Sequence, residues 1–208
     1  MSSLEELQKH VNELTTKGLT TDEIARHLNI QRDTVVWLST HRTLEKTVEK
    51  SAMDIYINLS NIQSNTQRLR LLSSLVTHFI SQDVKENRIG EPDIIVGIEL
   101  TGIPLSTMVA DNLGKSLTIM RHGGRTEKQA RGESWIVNKA FADPAGKKAI
   151  IIDDVVTSGV TVGEVIHSLR QIRTEVEAVY VIFDKKGSDR IDGVLLRPLV
   201  SVLPLKTG

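Results

Sequence analysis

The sequence predicts a two-part protein, with a small all-α unit followed by an α/β domain built on a parallel sheet. Three observations carry that reading. Apolar residues recur at helical spacing as far as Thr43, a polar stretch TLEKTVEKSAMD then breaks the pattern, and from Asp93 onward short β-rich runs alternate with helical segments. Several of those runs are apolar on both faces, as strands must be when helices cover both sides of a sheet. The 208 residues can supply one full core and a smaller second one. With 39% apolar and 25% charged residues, the composition is that of an ordinary globular protein. Lys plus Arg equals Asp plus Glu at 26 each, so no net field draws the chain to nucleic acid or membrane, and any DNA affinity has to come from a local patch. The absence of cysteine excludes a disulfide framework and thiolate zinc sites. MSSLEELQKH lacks the apolar core of a signal peptide, and no run approaches the ~18 apolar residues of a membrane helix. The expectation is a cytoplasmic protein with no membrane partner.

Leu4, Leu7, Val11 and Leu14 predict a first amphipathic helix, ended by Gly18. Two short helices are expected between Thr20 and Thr43. The domains read as 1–45 for the helical unit, 46–66 for a linker and 67–208 for the α/β domain. Within the linker, IYINLS alternates in the manner of a short strand, which would serve as a wing or connecting ribbon. Residues 67–82 place Leu69, Leu72, Leu75, Val76, Phe79 and Ile80 at helical spacing. The strand runs are DIIVGI, SLTIM, ESWIV, KAIIID, VEAVYVIFD and LVSVL, with helices expected near 104–113 and 161–173. GGRTEKQARGES, almost without apolar side chains, reads as a long loop.

Two constellations carry chemistry. In TTDEIARHLNIQRDTVVWLSTHR, Thr20 and Glu23 are spaced as a capping box, Ile24, Ala25 and Leu28 form an inner face, and Asn29 stands where a turn needs left-handed backbone. Ile30, Val35 and Leu38 would point inward from the next helix. Gln31, Arg32, Asp33, Val36, Trp37 and Thr40 would face outward, with Arg42 just beyond. Gln and Arg can make paired hydrogen bonds to base edges in a major groove. The segment resembles a helix-turn-helix, a similarity that implies a double-stranded DNA operator as partner and Gln31, Arg32, Asp33, Trp37, Thr40 and Arg42 as its contacts. Arg26, His27, His41, Lys46 and Lys50 add local positive charge.

The second constellation is AIIIDDVVTSGVT. Ala149 to Ile152 make a buried strand, Asp153 and Asp154 stand at its carboxyl end, and Val155, Val156, Thr157, Ser158, Gly159, Val160 and Thr161 lead into a helix. A small-residue turn at a helix N-terminus offers convergent amides and a positive dipole end to a phosphate, while two carboxylates can accept hydrogen bonds from vicinal ribose hydroxyls. The position also obeys the rule that open α/β sheets bind ligands beyond the carboxyl ends of their strands.

At these residues the chain closely resembles the type I phosphoribosyltransferases. The resemblance covers about 67–208 and implies their parallel-sheet fold, a ribose held by Asp153 and Asp154, and a 5-phosphate held by residues 157–161. GIELTGIPLSTMVADNLGK is similar to the diphosphate loop and following helix of orotate-type members, which implies diphosphate contacts at Glu99, Leu100, Thr101 and Gly102. Those relatives carry a lysine where this chain has Thr101 and two lysines in a lid where this chain has Arg125, Lys128 and Arg131. They also carry an orotate-binding arginine at the position of Gly163. Two readings follow. In one, the chain resembles the archaeal phosphoribosyltransferase-like regulators of the GfcR type: a homodimer in which phosphoribosyl diphosphate or a related nucleotide metabolite, with Mg²⁺ and no organic cofactor, is an effector. In the other it is an active nucleobase phosphoribosyltransferase with an appended helix-turn-helix.

Overall fold

A computed structural model describes residues 3–40, 57–123 and 135–202. The chain divides into two compact units, Met1–Asn58 and Leu59–Gly208. Residues 59–66, placed in the linker on sequence grounds, therefore group with the second unit.

The first unit is built on α1 (Ser3–Thr16), α2 (Thr21–Leu28) and α3 (Arg32–Thr40). Leu7 and Val11 from α1, Ile24, Ala25 and Leu28 from α2, and Ile30, Val35 and Leu38 around α3 form one buried cluster, with Leu14 and Leu19 packed against it. The capping box exists as expected. Thr20 accepts from the Glu23 amide, and the Glu23 carboxylate accepts from the Thr20 backbone N–H at 2.7 Å. Asn29 closes α2 in the left-handed region, φ 54°, and hands the chain to α3 after two residues. The wing expected at 55–60 lies partly outside the described residues, and its described part is not a strand.

The second unit opens with a short helix, α4 (Ser60–Gln63), and a long one, α5 (Thr66–Lys85), capped by the Asn65 side chain. There follow β1 (Ile94–Ile98), α6 (Gly102–Leu113), β2 (Ser116–His122), β3 (Trp135–Val137), β4 (Lys148–Val156), α7 (Val160–Gln171), β5 (Glu175–Asp184), β6 (Arg190–Ile191) and β7 (Val194–Ser201). The sheet order is β3-β2-β1-β4-β5-β7-β6. The five inner strands are parallel, but β3 and β6 pair antiparallel at the two edges, so the sheet is mixed rather than wholly parallel.

Alternation along the central strands sorts side chains to the two faces. Ile94, Val96, Ala149 and Ile151 share one cluster with Val162, Val165, Ile166 and Leu169 of α7. On the opposite face, α6 lies close over β1 because Gly97 has no side chain: a Cβ there would collide with Ser106 of α6. The last strand begins at Val194, not at Leu199 as the pattern LVSVL suggested. Arg197 and Pro198 disguise its first half. Pro198 is tolerated because β6 pairs only with residues 194–195, leaving the outer side of β7 at Pro198 without a ladder to break.

A buried acid ties α5 to this sheet. Asp83 is 2% exposed and accepts from the Tyr180 hydroxyl at 2.7 Å and from Arg197 at 3.0 and 3.1 Å, with Arg88 also paired to it. Burial pushes its pKa up, but the hydrogen bonds from Tyr180 and Arg88 and the charge of Arg197 outweigh burial and hold it below the ordinary value. No helix among the described residues is long and apolar enough to cross a membrane.

Candidate functional site

The carboxyl ends of β1 and β4 bring two of the predicted groups together. Asp153 and Asp154 close the buried run of β4 and are themselves buried, 7% and 1% exposed. Asp153 Oδ1 accepts from the Asp154 amide at 2.9 Å. Asp154 Oδ1 accepts from the Val155 amide at 2.8 Å and from the Thr101 hydroxyl at 3.0 Å, and its Oδ2 accepts from Gln63 Nε2 at 2.9 Å. Burial first, and the neighbouring charge of Asp154 second, raise the Asp153 pKa well above the ordinary carboxylate value.

Glu99, Leu100, Thr101 and Gly102 form the turn from β1 into α6, as the spacing predicts. The Glu99–Leu100 peptide is cis, the Leu100 side chain is exposed and Gly102 is buried. A Cβ on Gly102 would stand 3.0 Å from both Asp153 Oδ1 and the Ile152 carbonyl, so only glycine lets α6 start this close to the acids. Thr101, standing where the orotate-type relatives have lysine, is the residue that ties this turn to Asp154.

Val155 and Val156 are buried at the end of β4, after which Thr157, Ser158 and Gly159 turn into α7. Gly159 adopts φ +83°, Val160 is exposed and Thr161 half-buried. The first turn of α7 carries no acidic residue, which leaves the positive end of its dipole uncompensated by side chains of that turn.

Beside this turn runs a groove of about 500 Å³, bounded by Val160, Gly163 and His167 of α7 and by Lys186, Ile191 and Asp192 after β5. Local pairing explains how Lys186 gets there. The Lys185 amide bonds the Val156 carbonyl, and buried Asp184 accepts from the amides of Lys186 and Gly187, so the turn is pinned beside the end of β4. The Lys186 Cδ and Nζ then lie 3.2 Å from where a Gly159 Cβ would be. At Gly163, a Cβ would meet Asp192 Oδ2 at 2.9 Å. An acid therefore stands against the position where orotate-type enzymes carry arginine. At the edge of the sheet, Trp135 is buried in β3, donates Nε1–H to Glu164 at 3.0 Å and meets His122 edge-to-face. Sequence reasoning missed Gln63 and Lys186, whose partners are far away along the chain. The only local signal for Lys186 was its place just after a strand end.

The lid residues Arg125, Lys128 and Arg131 lie outside the described residues, as does Arg42. Among the described residues no cluster of three or more His, Asp or Glu could hold a metal ion. In the first unit, Gln31 and Arg32 stand exposed at the start of α3, and Arg32 pairs with Asp22 of α2 at 3.2 Å. Asp33, Trp37 and Thr40 are described in backbone only, on the same helix.

The sheet and the acids at its carboxyl edge define a domain of the phosphoribosyltransferase class. Residues 59–195 match the family model of the phosphoribosyl transferase domain. Solved structures with the same fold include an orotate phosphoribosyltransferase from Aeropyrum pernix (TM-score 0.56, 20% identity, covering 71% of this chain and 78% of that one). An adenine phosphoribosyltransferase from Saccharomyces cerevisiae gives TM-score 0.56 at 19% identity, over 74% of this chain and 90% of that one. Over nearly its whole length the chain is similar to transcriptional regulator GfcR 1 of Methanosarcina barkeri, 35% identical over 99% of this chain and 100% of the relative. Transcriptional regulator GfcR of Methanocaldococcus jannaschii is 36% identical over 95% and 93%. The chain belongs to the GfcR family of transcriptional regulators, which carry a phosphoribosyltransferase-like domain.

Proposed function

We propose that this protein is a DNA-binding transcriptional regulator whose second unit takes phosphoribosyl diphosphate, or a closely related phosphoribosyl compound, as its effector. The observation that carries the reading is the pairing of two buried carboxylates at the end of β4 with a glycine turn into the acid-free N-terminus of α7. That pairing suits vicinal hydroxyls at one end of a ligand and a phosphate at the other. Asp153 and Asp154 hold the ribose, residues 157–161 the 5-phosphate, and the Glu99–Gly102 turn the diphosphate. Mg²⁺ would accompany the diphosphate; among the described residues no acidic cluster stands ready to hold it. Arg125, Lys128 and Arg131 are the candidate cations for the diphosphate. The first unit reads an operator through Gln31, Arg32 and their neighbours on α3. A homodimer supplies two such helices about 34 Å apart for a palindrome.

The test uses the full chain. Titration calorimetry with phosphoribosyl diphosphate and Mg²⁺ is expected to give saturable binding that Asp153→Asn/Asp154→Asn abolishes. Selection from a random duplex library is expected to enrich a palindromic site whose recovery changes with the ligand. No binding at millimolar ligand would overturn the effector role. Diphosphate release with any common base at about 1 s⁻¹ or faster would make the protein an enzyme instead.

A further inference from the structure

Asp154 is the more deeply buried of the two acids, yet a ribose hydroxyl has to reach it. The side chain is 1% exposed because protein donors already sit on it: the Val155 amide and Thr101 hydroxyl on Oδ1, and Gln63 Nε2 on Oδ2. A carboxylate offers about four lone-pair positions, and three of them are filled by these contacts alone. The Val155 amide belongs to the strand end itself and cannot leave without breaking β4. Thr101 is fixed at the start of α6, against the acids that Gly102 lets it approach. Gln63 differs from both. It is the last residue of α4, a four-residue helix that buries none of its own residues and has no side-chain N-cap. Among its ties, Leu59, just before it, is buried at 6% exposure, Arg68 Nη1 holds the Asn61 carbonyl at 2.7 Å, and Gln63 holds Asp154. Short elements with few buried apolar contacts open locally at low cost.

We infer that Gln63 is an internal competitor for the ribose acid: ligand hydroxyls that reach Asp154 displace the Gln63 amide and release α4, the segment through which the second unit is joined to the first. Gln63 therefore belongs to the effector site as the group the ligand replaces. The direction of the signal follows from chain continuity. The boundary between the units falls immediately before Leu59, so the segment freed by the ligand is the one from which the DNA-binding unit is tethered. Ligand binding shifts the freedom of that tether because bound and free states differ in whether α4 is held. A ligand lacking the vicinal hydroxyls, such as inorganic phosphate, fills the α7 turn without touching the latch. The inference rests on the assignment of Asp153 and Asp154 to the ribose.

The full chain and its Gln63→Ala and Gln63→Leu variants are compared by titration calorimetry with Mg²⁺–phosphoribosyl diphosphate and by hydrogen–deuterium exchange over residues 59–65. In the wild type, saturating phosphoribosyl diphosphate is expected to speed exchange in that segment, and inorganic phosphate is expected to leave it unchanged. Both variants are expected to exchange quickly without ligand and to bind phosphoribosyl diphosphate about three- to tenfold more tightly, the size of one net hydrogen bond released from competition. Weaker binding by Gln63→Ala would make Gln63 a ligand contact and overturn the competition. Binding by the wild type with unchanged or slower exchange at 59–65 would overturn the latch and leave the effector reading standing. No binding by the wild type would remove both. Leu keeps most of the side-chain volume, so agreement between the two variants excludes a simple packing defect.

Discussion

Replacing Gly159 with alanine isolates the turn that the whole ligand assignment depends on. Gly159 has φ +83° and ψ 0°, left-handed backbone that costs an L-residue roughly 1–2 kcal/mol. Alanine recovers about 0.4–1 kcal/mol by restricting the unfolded chain, so strain alone leaves about 1 kcal/mol of destabilisation. A new Cβ also meets Lys186 Cδ and Nζ at 3.2 Å and Ile191 Cδ1 at 3.3 Å, all ends of flexible side chains that can give by a few tenths of an ångström. Stability should fall modestly, and binding should fall more. Tilting the turn misaims amides that donate to a charged phosphate, each worth about 1.5–3 kcal/mol, which is roughly ten- to hundredfold in affinity. Gly146→Ala is the control, because Gly146 has φ +71°, nothing within 4 Å of its would-be Cβ, and a place in the turn before β4. Urea unfolding should show similar small losses for both variants, while calorimetry with phosphoribosyl diphosphate shows a large loss only for Gly159→Ala. Equal ligand affinities in the two variants would mean that the α7 turn does not hold the phosphate.

The two buried acids of the second unit should have opposite pH signatures in urea unfolding. Asp83, held below its ordinary value of 3.8, contributes stability that is present above that pH and is lost as pH falls through its lower folded pKa. Asp83→Asn should cost about 2–3 kcal/mol at pH 7 and flatten the acid limb, and an unchanged acid limb would show that the Tyr180–Arg197 network is not its source. Asp153, raised above 3.8, works the other way: the folded state loses stability as pH climbs from 3.8 to its raised folded pKa, so Asp153→Asn should be the more stable protein above that range. Asn29→Ala, at φ 54°, should cost the first unit roughly 1–2 kcal/mol while Asn29→Gly costs nothing, as circular dichroism melts of the pair can decide. Arg32→Ala should weaken specific DNA binding by roughly 1–3 kcal/mol. Asp22→Ala, which frees Arg32 from an exposed ion pair worth about 0–1 kcal/mol, should leave binding unchanged or tighter in gel-shift titrations, and a loss there would assign Asp22 a direct part.

How much of this was legible beforehand depended on how far along the chain each cause acts. The capping box at Thr20, the left-handed Asn29, the buried run of β4 and the glycine turn into α7 are set by residues a few positions apart, and each stands where its spacing puts it. The helices at 66–85, 102–113 and 160–171 follow for the same reason. The edges followed only in part: β3 stands within the expected run ESWIV, but two-residue β6 is too short to show a period, and the antiparallel sense of both depends on neighbours elsewhere in the chain. Arg197 and Pro198 hid half of β7, because a charge that pairs with Asp83 on α5 looks locally like a reason not to be a strand.

The same distinction runs through the site, and there it separates holding a ligand from responding to one. Among the described residues, every group assigned to hold the ligand lies on one of two strand-to-helix turns, where local sequence dictates geometry. The groups that qualify that geometry come from far away. Gln63 is 91 positions from Asp154, and Lys186 reaches the Gly159 turn from the next strand because Asp184 pins its backbone. If Gln63 is the group the ligand replaces, covering Asp154 with an amide from α4 gives binding a mechanical consequence. Substitutions in the turns should therefore change affinity at fixed response. Substitutions at Gln63 should change how binding is felt elsewhere, and a protein in which both kinds changed affinity alone would carry no such division.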